Sequence, residues 1–131
     1  MVINSSKEKG RAGLSLAIAY FGANGYTVSL PLNDTQDYDL IVDKNNILSK
    51  IQVKFTARLF KSKTSVYYQV DLRSMGGSNG SKIYSDFLNS SADYLFIATD
   101  KLDLYFIPKT VIHTTTSLIL NDEYNKYKVN I

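Results

Sequence analysis

Residues 38–56 constrain the fold more than any other part of this sequence. Residues 38–43 have the composition of a short strand, Lys44-Asn45-Asn46 is a polar turn, and residues 47–56 form a second strand, so the segment predicts a hairpin. Side chains alternate across a strand. Ile51, Val53 and Phe55 therefore share one face, and Lys50, Gln52, Lys54 and Thr56 share the other.

The flanking elements are legible to different degrees. Leu14, Ala17, Ile18 and Phe21 recur at helical spacing, Ser5 and Glu8 have the spacing of a capping box, and Gly22 and Gly25 bracket the helix end. An extended segment at residues 27–30 follows, closed by Pro31. A third strand at residues 65–72 is expected to continue antiparallel from the hairpin. Residues 93–98 and 102–107 read as a second hairpin, joined by Thr99-Asp100-Lys101 and ended by Pro108. Gly76-Gly77-Ser78-Asn79-Gly80 lacks the spacing of a phosphate loop and reads as a mobile loop. The stretch after Pro108 predicts no element.

Composition then removes whole classes of chemistry. With 131 residues, 44% hydrophobic and 21% charged, residues 1–131 are expected to form a single domain. There is no cysteine, which excludes disulfides, zinc ribbons and thiol nucleophiles. His113 is the one histidine and sits among threonines; it is assigned no role. Any metal chemistry must use oxygen ligands. The N-terminal apolar run is broken by Gly22, Asn24 and Gly25, well short of the roughly 20 residues that span a bilayer, and no signal peptide is visible. The expectation is an intracellular, cytoplasmic protein with no membrane partner. Net charge is +3, but residues 1–82 hold eleven Lys or Arg against six Asp or Glu, while residues 83–131 hold four against six. That asymmetry favours a polyanionic partner, with a solvated surface as the plainer explanation.

One spacing carries chemistry. Asp39 opens the first hairpin strand, and thirteen residues later the second strand carries Gln52-Val53-Lys54. Magnesium takes a nearly octahedral shell of hard oxygens, usually one or two carboxylates with water, carbonyl and phosphate oxygens. Asp39 offers the carboxylate, Gln52 an amide oxygen, and Val53 a backbone carbonyl. Lys54 can orient a water or offset charge that develops on phosphorus. A strand-start aspartate and a solvated strand face account for the same residues without a site.

Tyr38-Asp39 followed by Gln52-Val53-Lys54 resembles the bipartite signature of the PD-(D/E)xK nuclease superfamily, with tyrosine for the proline and glutamine for the second acid. Lys9-Gly10, Gly25-Tyr26, Pro31, Arg73, Tyr84, Asp93-Tyr94 and Tyr105-Phe106-Ile107-Pro108 extend the likeness over residues 7–108, to a small branch similar to archaeal Holliday-junction resolvases and intron-encoded homing endonucleases. The resemblance implies an α/β, restriction-endonuclease-like mixed sheet flanked by helices. It also implies a DNA endonuclease acting on duplex or branched DNA, as a homo-oligomer (dimer or tetramer), with Mg2+ or substituting Mn2+. Under it, Asp39 and Gln52 match the metal-binding positions and Lys54 the active-site lysine. The branch usually carries a glutamate on its first helix, four residues after the glycine of its Lys-Gly pair; the matching position here is Leu14. Glu8 is the one glutamate on that helix, a possible additional acid whose capping role explains it better. Loss of the helix acid leaves open an alternative: a catalytically degenerate DNA-binding or protein-interaction module on the same scaffold.

Basic residues group around these elements. Lys7, Lys9 and Arg11 crowd the helix start, where positive charge opposes the dipole and phosphate contact would justify it. Arg58, Lys61 and Lys63 follow the Lys54 strand directly, and Arg73 precedes the glycine-rich stretch. All seven are candidate DNA contacts, with a solvated helix face or loop as the alternative.

Overall fold

The computed structural model describes residues 5–76 and 83–131. In chain order the elements are α1 (Ser6–Ala23), β1 (Thr27–Ser29), β2 (Leu40–Lys44), β3 (Ile47–Thr56), β4 (Leu59–Lys61) and β5 (Val66–Asp71). They continue with β6 (Arg73–Gly76), β7 (Ile83–Asp86), β8 (Tyr94–Thr99), β9 (Leu104–Pro108), β10 (Ser117–Ile119) and β11 (Lys128–Val129), with short 3-10 helices at Lys109–Val111 and Asp122–Tyr127. Residues 77–80 of the glycine-rich stretch lie outside the described residues.

Six strands form the main sheet in the order β1-β2-β3-β8-β9-β11. It is mixed, because β3 and β8 run parallel, Gln52 opposite Leu95 and Lys54 opposite Ile97, while the other neighbours are antiparallel. The β2–β3 hairpin forms as its sequence predicts. Asn45 (φ 54°) and Asn46 (φ 63°) both take the left-handed region, the requirement of a two-residue turn whose twist matches the strands. The third strand is where the expectation fails. β5 does not join the hairpin; it pairs with β4 and β10 in a separate three-stranded sheet, and the place beside β3 is taken by β8. β8 wins it because Leu95 and Ile97 bury on one side and Phe96 and Ala98 on the other, which suits a central strand covered on both faces.

Helix α1 lies on one face of this sheet. Ser5 Oγ accepts the Glu8 N–H at 3.2 Å, so the expected N-cap is present. At the other end Gly25 takes φ 84° while the Tyr26 N–H reaches back to the Phe21 carbonyl at 3.0 Å. The buried stripe is Gly13, Ala17, Tyr20 and Phe21. Gly13 permits the close approach: a Cβ there would stand 3.3 Å from Phe55 Cβ and 3.4 Å from Val53 Cγ1. Phe21 meets Phe106 edge to face, with ring centroids 5.1 Å apart, and packs on Phe96 at a tilted angle with centroids 5.5 Å apart. Leu14 and Ile18, expected in the core, are only half-buried at its margin.

The opposite face is not solvated. Val70, Leu72, Phe87, Ile112 and Leu118, from the smaller sheets and the connecting segments, pack on Leu95, Ile97 and Ile107. The segment after Pro108 supplies part of this layer and the edge strand β11, elements that its short, polar, tyrosine-rich sequence does not announce.

Candidate active site

Asp39 sits one residue before β2, where its N–H bonds the Ile51 carbonyl at 2.8 Å and so extends the hairpin ladder. Its Oδ2 accepts the Val53 N–H at 2.6 Å, a short bond of the charge-assisted kind. In a strand the N–H and C=O of one residue point to the same side. The Val53 carbonyl therefore points, like its N–H, past the start of β2.

Gln52 and Lys54 lie on the covered face of β3. Gln52 is 8% exposed and Thr56 6%, so the solvated-face explanation of these residues is contradicted: the smaller sheets cover them. Gln52 Nε2 donates to the Asp37 carbonyl at 3.1 Å, which fixes the amide's orientation, and Oε1 is left buried without a hydrogen-bond partner. Lys54 Nζ donates to Ser74 Oγ at 3.2 Å, reaching across to β6. A cavity of about 480 Å³ opens here, with Asp39, Gln52, Val53 and Lys54 among its lining residues.

The electrostatics are those of a carboxylate and an ammonium in a restricted space. Asp39 opens to the cavity, yet surrounding protein strips enough water from it to push its pKa above the ordinary value, against the pull of the Val53 N–H and of Lys54. Burial likewise holds the Lys54 pKa below that of a free lysine, while Asp39 and Asp71 act to raise it. Charge-perturbed groups in a cleft of this kind mark functional sites more often than plain structural ones.

The donor set fits a hard divalent cation. Among the described residues no three His, Cys, Asp or Glu side chains converge as a ready-made cage. One carboxylate with two neutral oxygens instead leaves several positions for water and phosphate, as magnesium prefers. The orphaned Gln52 Oε1 is the particular observation: a buried acceptor without a donor is costly, and a cation would satisfy it.

The remaining sequence candidates fall around this centre rather than in it. Leu14 lines a second cavity of about 250 Å³ together with Asp39, so the helix position where the branch carries an acid does face the site. Glu8 lies in the first turn of α1, away from the lining of both cavities. Lys7, Lys9 and Arg11 are exposed on the first turns of α1. Arg58, Lys61 and Lys63 are exposed too, on a segment that contains strand β4 rather than a plain loop. Arg73 pairs with Asp71 at 3.3 Å.

Sequence reasoning missed the clamp that positions the loop before β2. Asp37 accepts both the Ser91 N–H, at 2.9 Å, and the Ser91 hydroxyl, and these bonds hold its pKa below the usual carboxylate value. The partners are 54 residues apart, so no local signal reveals them. Gln36 and Ser74, also in the cavity wall, carried no signal either.

A mixed sheet with a helix on one face, and an acid, an amide and a lysine brought together on its central hairpin, define a restriction-endonuclease-like fold. The sequence profile of the PD-(D/E)XK endonuclease family matches residues 4–131, and the chain belongs to that family. Among solved structures it is similar to the bacterial homing endonuclease I-Ssp6803I, with 27% identity and a TM-score of 0.74 over 95% of this chain and 89% of that one. No curated protein sequence matches it. Among the described residues no helix is long and apolar enough to cross a membrane.

Proposed function

We propose that this chain is a magnesium-dependent DNA endonuclease that hydrolyses phosphodiester bonds, with manganese as a substitute cation. Family membership and the likeness to a homing endonuclease support nuclease chemistry. The buried, unpartnered Oε1 of Gln52 beside the Asp39 carboxylate carries the metal assignment. Asp39, Gln52 and the Val53 carbonyl would hold the cation. When bound, it supplies Lewis-acid polarisation at the scissile phosphate. Lys54 orients the attacking water, and its charge offsets the negative charge that grows on the phosphoryl oxygens. Lys7, Lys9, Arg11, Arg58, Lys61, Lys63 and Arg73 hold the DNA backbone in register, sequence-independently. Cutting both strands of a duplex, or a branched junction, requires two such sites, so the active form is a homo-oligomer, a dimer or tetramer of one-domain subunits.

The test is cleavage of supercoiled plasmid, a four-way junction and an intron-insertion-type duplex in magnesium, manganese or chelator. Cutting is expected with either metal and not with chelator, and to fall at least about 100-fold in Asp39→Ala and in Lys54→Ala. Cleavage that survives both substitutions removes the assignment.

Leu14 favours a second reading, a degenerate module that binds DNA or protein without cutting, because an apolar side chain faces the site where the branch has an acid. Salt-dependent DNA binding with no cleavage in either metal, and cleavage gained in Leu14→Glu, would establish it.

A further inference from the structure

The site as described has one carboxylate, and Leu14 removes the helix acid that would have been its neighbour. Gln36 stands in the same region. It lines the 480 Å³ cavity with Asp39, Gln52 and Lys54, and it also lines the 250 Å³ cavity with Leu14 and Asp39, which places it in the wall common to both. Among the described residues that are not exposed, two buried side-chain oxygens have no hydrogen-bond partner: Gln52 Oε1 and Gln36 Oε1. Both belong to residues that line the 480 Å³ cavity together with Asp39.

The backbone around Gln36 is not free to drift. Its neighbour Asp37 is held through its carboxylate by Ser91 and through its carbonyl by Gln52 Nε2. The loop thus ties Gln36 to the same strand that carries Gln52 and Lys54. Keeping two amide oxygens buried and unpaired in residues that line one cavity is costly in a folded chain, and one ligand chemistry relieves both: a hard cation that accepts neutral oxygen donors.

We infer that Gln36 is a further oxygen donor toward the cation, supplied from the loop before β2 in place of the missing acid on α1. The inference rests on the metal site proposed above. It makes this a site of one carboxylate and two glutamine amides, whose affinity for the cation is set partly by a residue outside the bipartite signature.

Titration of the full chain with Mn2+, followed by the electron paramagnetic resonance signal of the free ion and without DNA, separates the possibilities. Gln36→Leu, which keeps the size but not the oxygen, is expected to weaken Mn2+ binding about 10-fold, and Gln36→Glu to tighten it by a similar factor. Asp39→Asn serves as the control for the site itself. If Mn2+ affinity is unchanged in both Gln36 variants but lost in Asp39→Asn, Gln36 is not a donor and the site stands. If Asp39→Asn also binds Mn2+ normally, the site falls and Gln36 with it. Should Gln36→Leu fail to fold by circular dichroism, Gln36→Glu decides alone, since its side chain has the same shape.

Discussion

The Asp39 carboxylate is held by the backbone of the strand that carries its chemical partners: Oδ2 accepts the Val53 N–H at 2.6 Å, between Gln52 and Lys54 in sequence. A backbone donor does not change rotamer. The acid is therefore registered to β3 before any ligand arrives, and Asp39 and Val53, 14 residues apart in sequence, meet in a single cross-strand contact.

That contact does not make the acid comfortable. Burial outweighs the Val53 N–H and Lys54, so the folded chain binds the Asp39 proton more tightly than the unfolded chain does. Below the unfolded pKa both states carry the proton, and the charge costs nothing; as pH rises through the folded pKa the desolvated charge opposes folding. Asp39→Asn, which keeps an acceptor for Val53, is expected to raise the Tm of the metal-free chain at pH 7, and the gain to vanish below about pH 3.5, under the ordinary carboxylate range. Thermal melts in chelator at the two pH values measure this. A lower Tm for the variant at pH 7 would show that the carboxylate stabilises the fold instead.

A second ionisation lies outside the lining of the candidate cavity. Tyr68 on β5 donates its hydroxyl to Asp100 Oδ1 at 2.6 Å, tying the small sheet to the β8–β9 turn, and burial together with this bond pushes its pKa up to about 12. An unfolded tyrosine loses its proton near pH 10. The stabilisation is thus fully present below pH 10 and is lost as pH rises toward 12. Because the pair is partly in solvent, Tyr68→Phe is expected to cost only about 0.5–1 kcal/mol at pH 7. In urea melts the gap between the two chains should be constant from pH 7 to 9.5 and shrink above pH 10. A gap that widens there contradicts the bond.

The parts of this fold that the sequence made legible are those with a local signal. The β2–β3 hairpin announces itself through alternation and Asn45-Asn46, and α1 through its cap and spacing. The parallel pairing of β3 with β8 joins Ile51 to Tyr94, and that partnership has no local mark. The same limit governs the site. Alternation put Gln52 and Lys54 on one polar face, but the groups that meet this face, the Asp37 carbonyl at Gln52, Ser74 at Lys54 and the Gln69 carbonyl at Thr56, come from remote parts of the chain. Gln36 and the Asp37–Ser91 clamp were invisible because their roles arise from a loop folding against a distant turn.

One strained residue offers a test of stability without touching the site. Leu102, in the β8–β9 turn, takes φ 65° although it is not glycine, and it is 55% exposed, so little packing is lost on replacing it. A left-handed conformation costs a branched L-residue about 1–2 kcal/mol, against which glycine gives back about 0.5–1 kcal/mol of unfolded-state entropy. Leu102→Gly is expected to stabilise the chain by roughly 0.5–1 kcal/mol. A denaturant midpoint that falls would mean that the exposed leucine packs more usefully than its surface indicates.

The exposed cations make the DNA reading quantitative. Thr56 Oγ1 donates to the Gln69 carbonyl at 2.6 Å and accepts the Arg58 N–H at 3.1 Å, so the chain leaving β3 is pinned to β5. Arg58, Lys61 and Lys63 therefore hang from a fixed segment directly beyond Lys54. Each phosphate contact contributes about 0.9 to the slope of log affinity against log salt on duplex DNA. Replacing all three by glutamine should flatten that slope by about 2 to 3, with a uniform loss of affinity across unrelated sequences. Arg73→Gln should change it less, because Asp71 already pairs with the guanidinium. An unaltered slope in the triple variant would take the DNA backbone off this segment and leave Lys7, Lys9 and Arg11 on α1 as the remaining track.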